Sequence, residues 1–538
     1  MFEGIDLKAK ETGKKWIIIV RIISYVLFLM LLILMIREKK NLHMDEVSSY
    51  IGANNSINQN ISISVQYNHT YEDPAKPWMD QMCVKEDGRF DYKNVFLINS
   101  GDVHPPLYFT LLHTVCSFFP GTYSKWYAGV INIAASLLML FAFSGILEFA
   151  TEDKVFATVA SAFLILCPGI LSSATYFRMY HLGMFMVLVY TLVLMKGIKK
   201  RNAAFYILLG ILALLGVMTH YYIAIYYLFS TLTFVVYLIV KKEYKSLAIS
   251  FGTLAASAAV FLLLYPAAIN HVFGGGGRGQ EALDNLGYFP VYFNKIKTCF
   301  SICNMQIFGR LILLPLIVII VFGVWGIIKN QKENGEQKTK NKMRICPDRL
   351  FTYLIPAIGI TGYFVIVSII TVYTTTRYFY PIYAVTVALA LFAVKNAVSK
   401  VFPKYAIIIA CVVFAVCSFI HFKANIHYLY RSTQPFLDEA KKYGEVNCII
   451  IPERPYDANT SFYEVSNYKS VTFVSPNEMD EMGKCGIDVT NGILISKSEG
   501  VSINAISEEV HETWSQLGDA IMIGEHGGMS TYYYPCVQ

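Results

Sequence analysis

Charge is scarce in this 538-residue chain: Asp, Glu, Lys and Arg make up 15% of it, against about 25% in ordinary globular proteins. With 55% hydrophobic residues and a mean hydropathy of +0.45, the shortage excludes a disordered chain and a water-soluble one, because no core of this size hides so much apolar surface. The 11 cysteines are scattered with no metal-type spacing, so neither a disulfide scaffold nor a zinc framework is indicated. No collagen-like glycine period exists. The run Gly274-Gly275-Gly276-Gly277 lacks the Lys-Ser/Thr ending of a phosphate-binding loop. No internal repeat and no broken-helix pair of the transporter kind is visible. No signal-peptide cleavage pattern accompanies the first apolar run, which is expected to stay as an anchor.

What is present is a series of apolar runs. A spanning helix needs about 20 such residues, and eleven runs qualify or nearly so: 16–36, 126–149, 155–172, 179–196, 203–218, 222–240, 246–268, 308–328, 350–373, 378–394 and 404–422. The shorter stretch 105–119 opens with Pro105-Pro106 and contains His113, and reads as a juxtamembrane surface helix or a re-entrant one. The net charge of +7 supplies the test. With 105–119 not spanning, Lys8, Lys10, Lys14, Lys15, Lys154, Lys196, Lys199, Lys200, Arg201, Lys241, Lys242, Lys245, Lys395, Lys400 and Lys404 fall on one side. So does the loop 329–349, with seven Lys/Arg against three acids. The positive-inside rule makes that side cytoplasmic. The expectation is a polytopic α-helical membrane protein with about 11 transmembrane helices, N-terminus cytoplasmic and C-terminus outside, in a plasma membrane. Residues 1–422 form its membrane domain, with external loops 37–125 and 269–307. The glycine run makes the second loop a mobile flap. Residues 423–538 read as a small α/β ectodomain, with strand-like runs at Cys448–Ile451, Val471–Val474, Gly492–Ile495 and Ala520–Ile523.

Under this topology the polar residues near span ends gather on the outer leaflet: Asp45 and Glu46, Asp102 and His104, Arg178 and Tyr180, His220 and Tyr221, and Arg377. Ionisable groups at bilayer margins are costly and mark function, or else they are snorkelling interface side chains. Five clusters on one leaflet favour the first reading.

These residues carry a resemblance. His43-Met44-Asp45-Glu46-Val47-Ser48-Ser49-Tyr50 resembles the acidic pair in the first external loop of GT-C glycosyltransferases. Gly101-Asp102-Val103-His104-Pro105-Pro106-Leu107-Tyr108 resembles the Asp-x-His-Pro-Pro-Leu element of the protein O-mannosyltransferase and aminoarabinose-transferase branch. Tyr176-Phe177-Arg178-Met179-Tyr180 is similar to the Arg-x-Tyr segment of bacterial relatives, although Tyr176-Phe177 stand where many relatives carry Gln-Glu. Thr219-His220-Tyr221-Tyr222 and Arg377-Tyr378-Phe379-Tyr380-Pro381 follow in family order. The likeness covers roughly 16–395; the tail 423–538 resembles nothing recognised. It implies a GT-C fold and a polyprenyl or dolichyl phosphate sugar as donor, used on the external face without a nucleotide sugar.

Such a reaction displaces phosphate at the anomeric carbon while the acceptor hydroxyl loses a proton. A single displacement inverts that carbon, through an oxocarbenium-like transition state. Asp45 is the expected base, with Glu46 as neighbour or second acid; the alternative is that Asp45 caps a helix. Arg377 and then Arg178 are the expected forks for the leaving phosphate, with His220 or Lys85 as further donors. A divalent cation (Mg, Mn or Zn) on Asp45, Asp102 and His104 is an open alternative, and His104 is equally a partner for the Pro-Pro turn. Tyr180 and Tyr221, with Asp102, are substrate or structural contacts. Tyr108, Phe109, Phe118 and Phe119 read as interfacial belt residues flanking a lipid groove. Membrane lipids are expected partners and nucleic acid is not. The acceptor, whether protein, lipid or envelope polysaccharide, stays open, as does the sugar. Two rivals stand beside the transferase: a transporter or flippase of lipid-linked sugars, and a non-catalytic envelope assembly protein. Nearly charge-free mid-spans weigh against the first. Cys448, Cys485 and Cys536 share the tail, where a disulfide is permitted but not required.

Overall fold

The computed structural model describes residues 2–58, 60–274, 278–334, 346–420, 422–424 and 426–537, the side chains of 2–14 and 332–334 excepted. The glycines 275–277 and most of the basic loop 329–349 lie outside the described residues, as do the side chains of Lys8, Lys10 and Lys14.

By their contacts the residues divide into two compact units. One comprises Met1–Leu34, Val103–Leu107 and Val130–His427; the other comprises Met35–Asp102, Tyr108–Gly129 and Tyr428–Gln538. Most of the first external loop thus clusters with the tail.

The first unit is helical. Eight helices are long and apolar enough to cross a membrane, Lys15–Glu38, Lys125–Thr151, Tyr180–Lys199, Ile223–Val240, Tyr244–Leu264, Leu313–Gln331, Pro347–Ile370 and Thr376–Ser399 among the described residues. Two further apolar runs of the expected eleven are helices of 10–17 residues, Ala203–Thr219 and Pro403–Phe419. The remaining run, 155–172, is not one helix. It breaks into Lys154–Leu166 and Pro168–Thr175, bent by 63°, which corrects the expectation of one continuous spanning helix there. Pro168 has no N–H to give the preceding turn and keeps Cys167 extended (φ −81°, ψ 110°), so one helix ends and the next starts on its proline.

The helix Tyr244–Leu264 has Ser250 as its one buried residue, and Phe251, Leu263 and Leu264 are exposed. Soluble monomers rarely expose contiguous apolar area above a few hundred Å², so these faces belong in lipid and the chain is an integral membrane protein. Between the seventh and eighth expected spans, 269–307 is mostly helical: Ala267–Phe273, Arg278–Gly287 and Tyr292–Phe308.

The second unit is built on a six-stranded sheet. Its strands are β1 (Thr70–Tyr71), β2 (Asn447–Ile451), β3 (Ser470–Phe473), β4 (Ile493–Ser498), β5 (Ile521–His526) and β6 (Met529–Tyr534), in the order β1-β3-β2-β4-β6-β5. β3, β2 and β4 run parallel and are buried on both faces, as parallel strands require. Alternation sends Ile449, Ile451, Ile493 and Ile495 to one face, with Ile506 and Val510 of helix Ile503–Thr513. On the other face Trp78, from the first loop, lies 5.8 Å from Phe473 and 6.2 Å from Phe462, ring to ring. The four strand-like runs expected in the tail are β2 to β5. β6 was not expected, nor β1, which the first loop contributes antiparallel to β3. The β5–β6 hairpin turns on Gly527 and Gly528, both at positive φ (60° and 86°), as a tight two-residue turn demands.

The expected surface helix is Leu107–Cys116. Its Tyr108 and Phe109 are fully buried, Phe109 against Gly52, so they are core residues and not a lipid belt; Phe118 and Phe119 remain exposed.

Candidate functional site

The two ends of the first unit's helices differ chemically. At one end, turns between helices are laced by ion pairs: Lys199 with Glu152 at 2.7 Å, Lys395 with Asp153 at 3.3 Å, Lys241 with Asp348 at 2.7 Å, and Arg201 with Glu243. The basic short loops that oriented the chain therefore meet there.

At the other end the helices bring together six of the residues singled out in the sequence. Arg178 precedes helix Tyr180–Lys199, His220 ends Ala203–Thr219, and Arg377 precedes Tyr380–Ser399. Arg178 Nη2 lies 3.2 Å from His104 Nε2. A guanidinium has no acceptor, so the imidazole nitrogen accepts and His104 carries its proton on Nδ1. The His104 and His220 rings are 6.4 Å apart, and Tyr180 lies 5.2 Å from His220. His220 Nδ1 accepts from Tyr222 N at 3.1 Å. Burial, and then the neighbouring His104 and Arg178, push this imidazole well below its ordinary value, so it is neutral at pH 7 with its proton on Nε2. Arg377 Nη1 donates to Tyr176 Oη at 3.2 Å, and its guanidinium lies 5.3 Å from the Tyr378 ring centre. Tyr176 stacks on Tyr180 at 5.9 Å, and Tyr378 meets Tyr180 edge-on at 6.2 Å. Tyr265 Oη donates to His104 O at 3.2 Å, and the Tyr221 hydroxyl is 2.8 Å from His271 Nδ1. Two arginines and two histidines are thus walled by tyrosines. Arg178 is buried and Arg377 half-buried. Such a cluster can bind a phosphate by paired guanidinium forks and meet a sugar with phenol hydroxyls.

The acidic pair belongs to the second unit. Helix Met44–Asn54 starts on His43, whose Nδ1 accepts from Asp45 N at 3.1 Å while Glu46 Oε2 accepts from His43 N at 2.7 Å. Because Nδ1 is already an acceptor, its 3.6 Å approach to Asp45 Oδ2 is no ion pair. Glu46 is fully buried and paired to buried Lys39 at 2.9 Å. Lys39 also donates to Tyr428 O at 2.6 Å and lies 5.1 Å over the Tyr430 ring. Burial lowers the Lys39 ammonium from its ordinary value and Glu46 opposes that shift. Glu46 is therefore committed to the cap and the ion pair, whereas Asp45 is half-buried and takes a hydrogen bond from the Tyr456 hydroxyl. Tyr428 and Tyr430 hold positive φ (64° and 53°), costly for non-glycine residues and typical of functional segments.

Of the other residues singled out, Asp102 is half-buried in the second unit and Lys85 is exposed on its surface. Among the described residues, no three His, Cys, Asp or Glu side chains gather to hold a metal ion, and all 11 cysteines are free. Sequence reasoning missed Tyr176, Tyr265, His271 and Tyr378 as walls; their tyrosine-rich setting at span ends was the available signal. Lys39, Tyr428, Tyr430 and Tyr456 gave no such signal.

Comparison with known proteins adds little. No protein-family model matches the chain, and no curated protein matches it. Among solved structures, that of the Archaeoglobus fulgidus oligosaccharyltransferase tethered to an acceptor peptide with an NVT sequon is similar to 98% of this chain and 74% of its own, at 12% identity and a TM-score of 0.41. So distant a likeness fixes neither the fold nor the activity of this chain.

Proposed function

We propose that the chain is a GT-C-type membrane glycosyltransferase that moves a sugar from a polyprenyl-phosphate donor to an acceptor hydroxyl on the outer face of a cell membrane. The observation that supports it is the tyrosine-walled cluster of His104, Arg178, His220 and Arg377 at one end of the apolar helices, where a lipid phosphate headgroup would meet it. In this reading the acceptor oxygen bonds to the anomeric carbon as the bond from that carbon to the phosphate oxygen breaks. The polyprenyl phosphate leaves with the electron pair, and the acceptor proton passes to a carboxylate. Arg178 and Arg377 neutralise the leaving phosphate, and neutral His220 donates from Nε2. Tyr180 and Tyr221 offer hydroxyls to the sugar. Asp45 is assigned as base on its own unit's geometry, and Glu46 as the residue that fixes the helix start beneath it. No step is routed through a divalent cation: of the candidate ligands Asp45, Asp102 and His104, the last gives Nε2 to the Arg178 guanidinium.

One observation favours the transporter reading, the bent pair Lys154–Leu166 and Pro168–Thr175, since transporters build substrate sites from discontinuous helices. Both readings meet one experiment. Purified protein is incubated with a panel of polyprenyl-phosphate sugars and protein, lipid and envelope-polysaccharide acceptors, and the released lipid phosphate is read by mass spectrometry. The transferase releases it and Asp45→Asn does not. Donor movement across proteoliposomes with no lipid phosphate released by any pairing overturns the assignment.

A further inference from the structure

Three segments of the tail converge on the helix start that carries Asp45, all within the second unit. Tyr428 and Tyr430 meet Lys39. His526 reaches Leu42 O at 3.4 Å. The segment Pro455–Ser461, which follows β2, supplies Tyr456 to Asp45 and Asn459, whose Nδ2 donates to Ser48 Oγ at 3.0 Å. That segment is itself braced: Arg454 donates from N and Nη2 to Asp457 at 3.0 Å each, and Ser498 Oγ donates to Asp457 at 3.4 Å. A loop after the carboxyl end of a parallel strand is where α/β sheets present functional groups.

We propose that Tyr456 is a positioning residue for Asp45, so that the tail is part of the proton-accepting apparatus. The phenol O–H donates to Asp45 Oδ1. A donor on one carboxylate oxygen fixes the rotamer and favours the charged form, which is the form a base needs. Other groups near this carboxylate include His43, from the cap, and Glu46 with its Lys39, next along the helix. The inference rests on the reading of Asp45 as base.

The test separates the two. Asp45 is followed by the infrared carboxyl band of 13C-aspartate-labelled full-length protein in detergent, assigned by difference against Asp45→Asn, and titrated with pH. Tyr456→Phe is expected to raise the midpoint by about one pH unit. Asn459→Ala loosens the same segment without removing the phenol and is expected to leave the midpoint in place. In the donor-release assay Tyr456→Phe is expected to lower kcat about tenfold, shift the acid limb of the pH profile upward and leave the donor KM unchanged. A midpoint unmoved by Tyr456→Phe, or moved equally by Asn459→Ala, overturns the inference whatever the turnover shows. A moved midpoint with full turnover in Asp45→Asn upholds the contact and overturns the base reading instead.

Discussion

The pair Lys39–Glu46 gives the sharpest quantitative test, because it decides whether Glu46 is scaffold or acid. Both side chains are essentially out of water, 1% and 0% exposed, at 2.9 Å. Glu46→Gln keeps the volume and a carbonyl to accept from His43 N, but it removes the anion facing Lys39. An unpaired buried charge costs about 3–5 kcal/mol. Tyr428 O and the Tyr430 ring still face the ammonium, which places the expected loss near the lower end, about 3 kcal/mol. Replacing both partners by neutral groups is often nearly neutral, so Lys39→Met with Glu46→Gln should recover most of the loss, a coupling of about 2–3 kcal/mol. Trp78, buried between Phe462 and Phe473, reports on the second unit. Urea unfolding followed by its fluorescence, with Trp16, Trp126, Trp325 and Trp514 changed to Phe, reads each variant. If the double variant costs the sum of the two singles, the charge argument is wrong. If it regains stability but no donor turnover, Glu46 acts chemically and the scaffold assignment fails.

Arg178→Lys should lose the fork and its hold on His104 while keeping a positive charge. Turnover in the donor-release assay should drop about 10²-fold, and a drop under threefold would show that charge alone suffices there. Glu464, buried and accepting from Tyr468 Oη at 2.7 Å and Thr531 Oγ1 at 2.6 Å, is pushed by burial up to about 7 from 4.5. The folded unit then binds more protons than the unfolded chain between those values. Stability is therefore fully present below about pH 4.5 and falls by about 3 kcal/mol as pH rises to 7. Urea midpoints across that range should show the slope in wild type and lose it in Glu464→Gln. Gly527→Ala meets a positive φ of 60° and Thr460 Cγ2 at 2.5 Å. A loss of about 1–2 kcal/mol is expected from backbone strain alone, and a Trp78 unfolding curve that superimposes on wild type would refute it.

What could be read from the sequence follows from how far each interaction reaches along the chain. Helix runs and basic turns are local patterns of composition, so the helices and the ion-paired end were legible from Lys199, Arg201, Lys241 and Lys395 alone. Arg178, His220 and Arg377 were legible for a related reason: each sits where an apolar run stops, and alternating helices bring such stops to one end. The break at Cys167 was hidden because apolar composition continues across it, and only Pro168 marked it. Tyr108 and Phe109 misled because an aromatic at a bilayer margin and one packed on Gly52 look alike until the partner surface is known. The contacts that distinguish Asp45 from Glu46 are of another kind. Lys39 stands seven residues before Glu46, but in the break between helix Phe2–Glu38 and helix Met44–Asn54, so no helical spacing pairs them, and Tyr456 stands 411 residues after Asp45. No spacing rule reaches that far. The resemblance stopped at about residue 395, short of the segment that touches the carboxylate. The acidic pair stands out in the sequence, but the different surroundings of its two members do not: one carboxylate is paired with a lysine and accepts from the cap, and the other accepts from a phenol of the tail. A role carried over by family position alone would have assigned both acids to chemistry; in the proposed reading, the burial of Glu46 in its pair with Lys39 is the physical reason to give the base role to Asp45 alone.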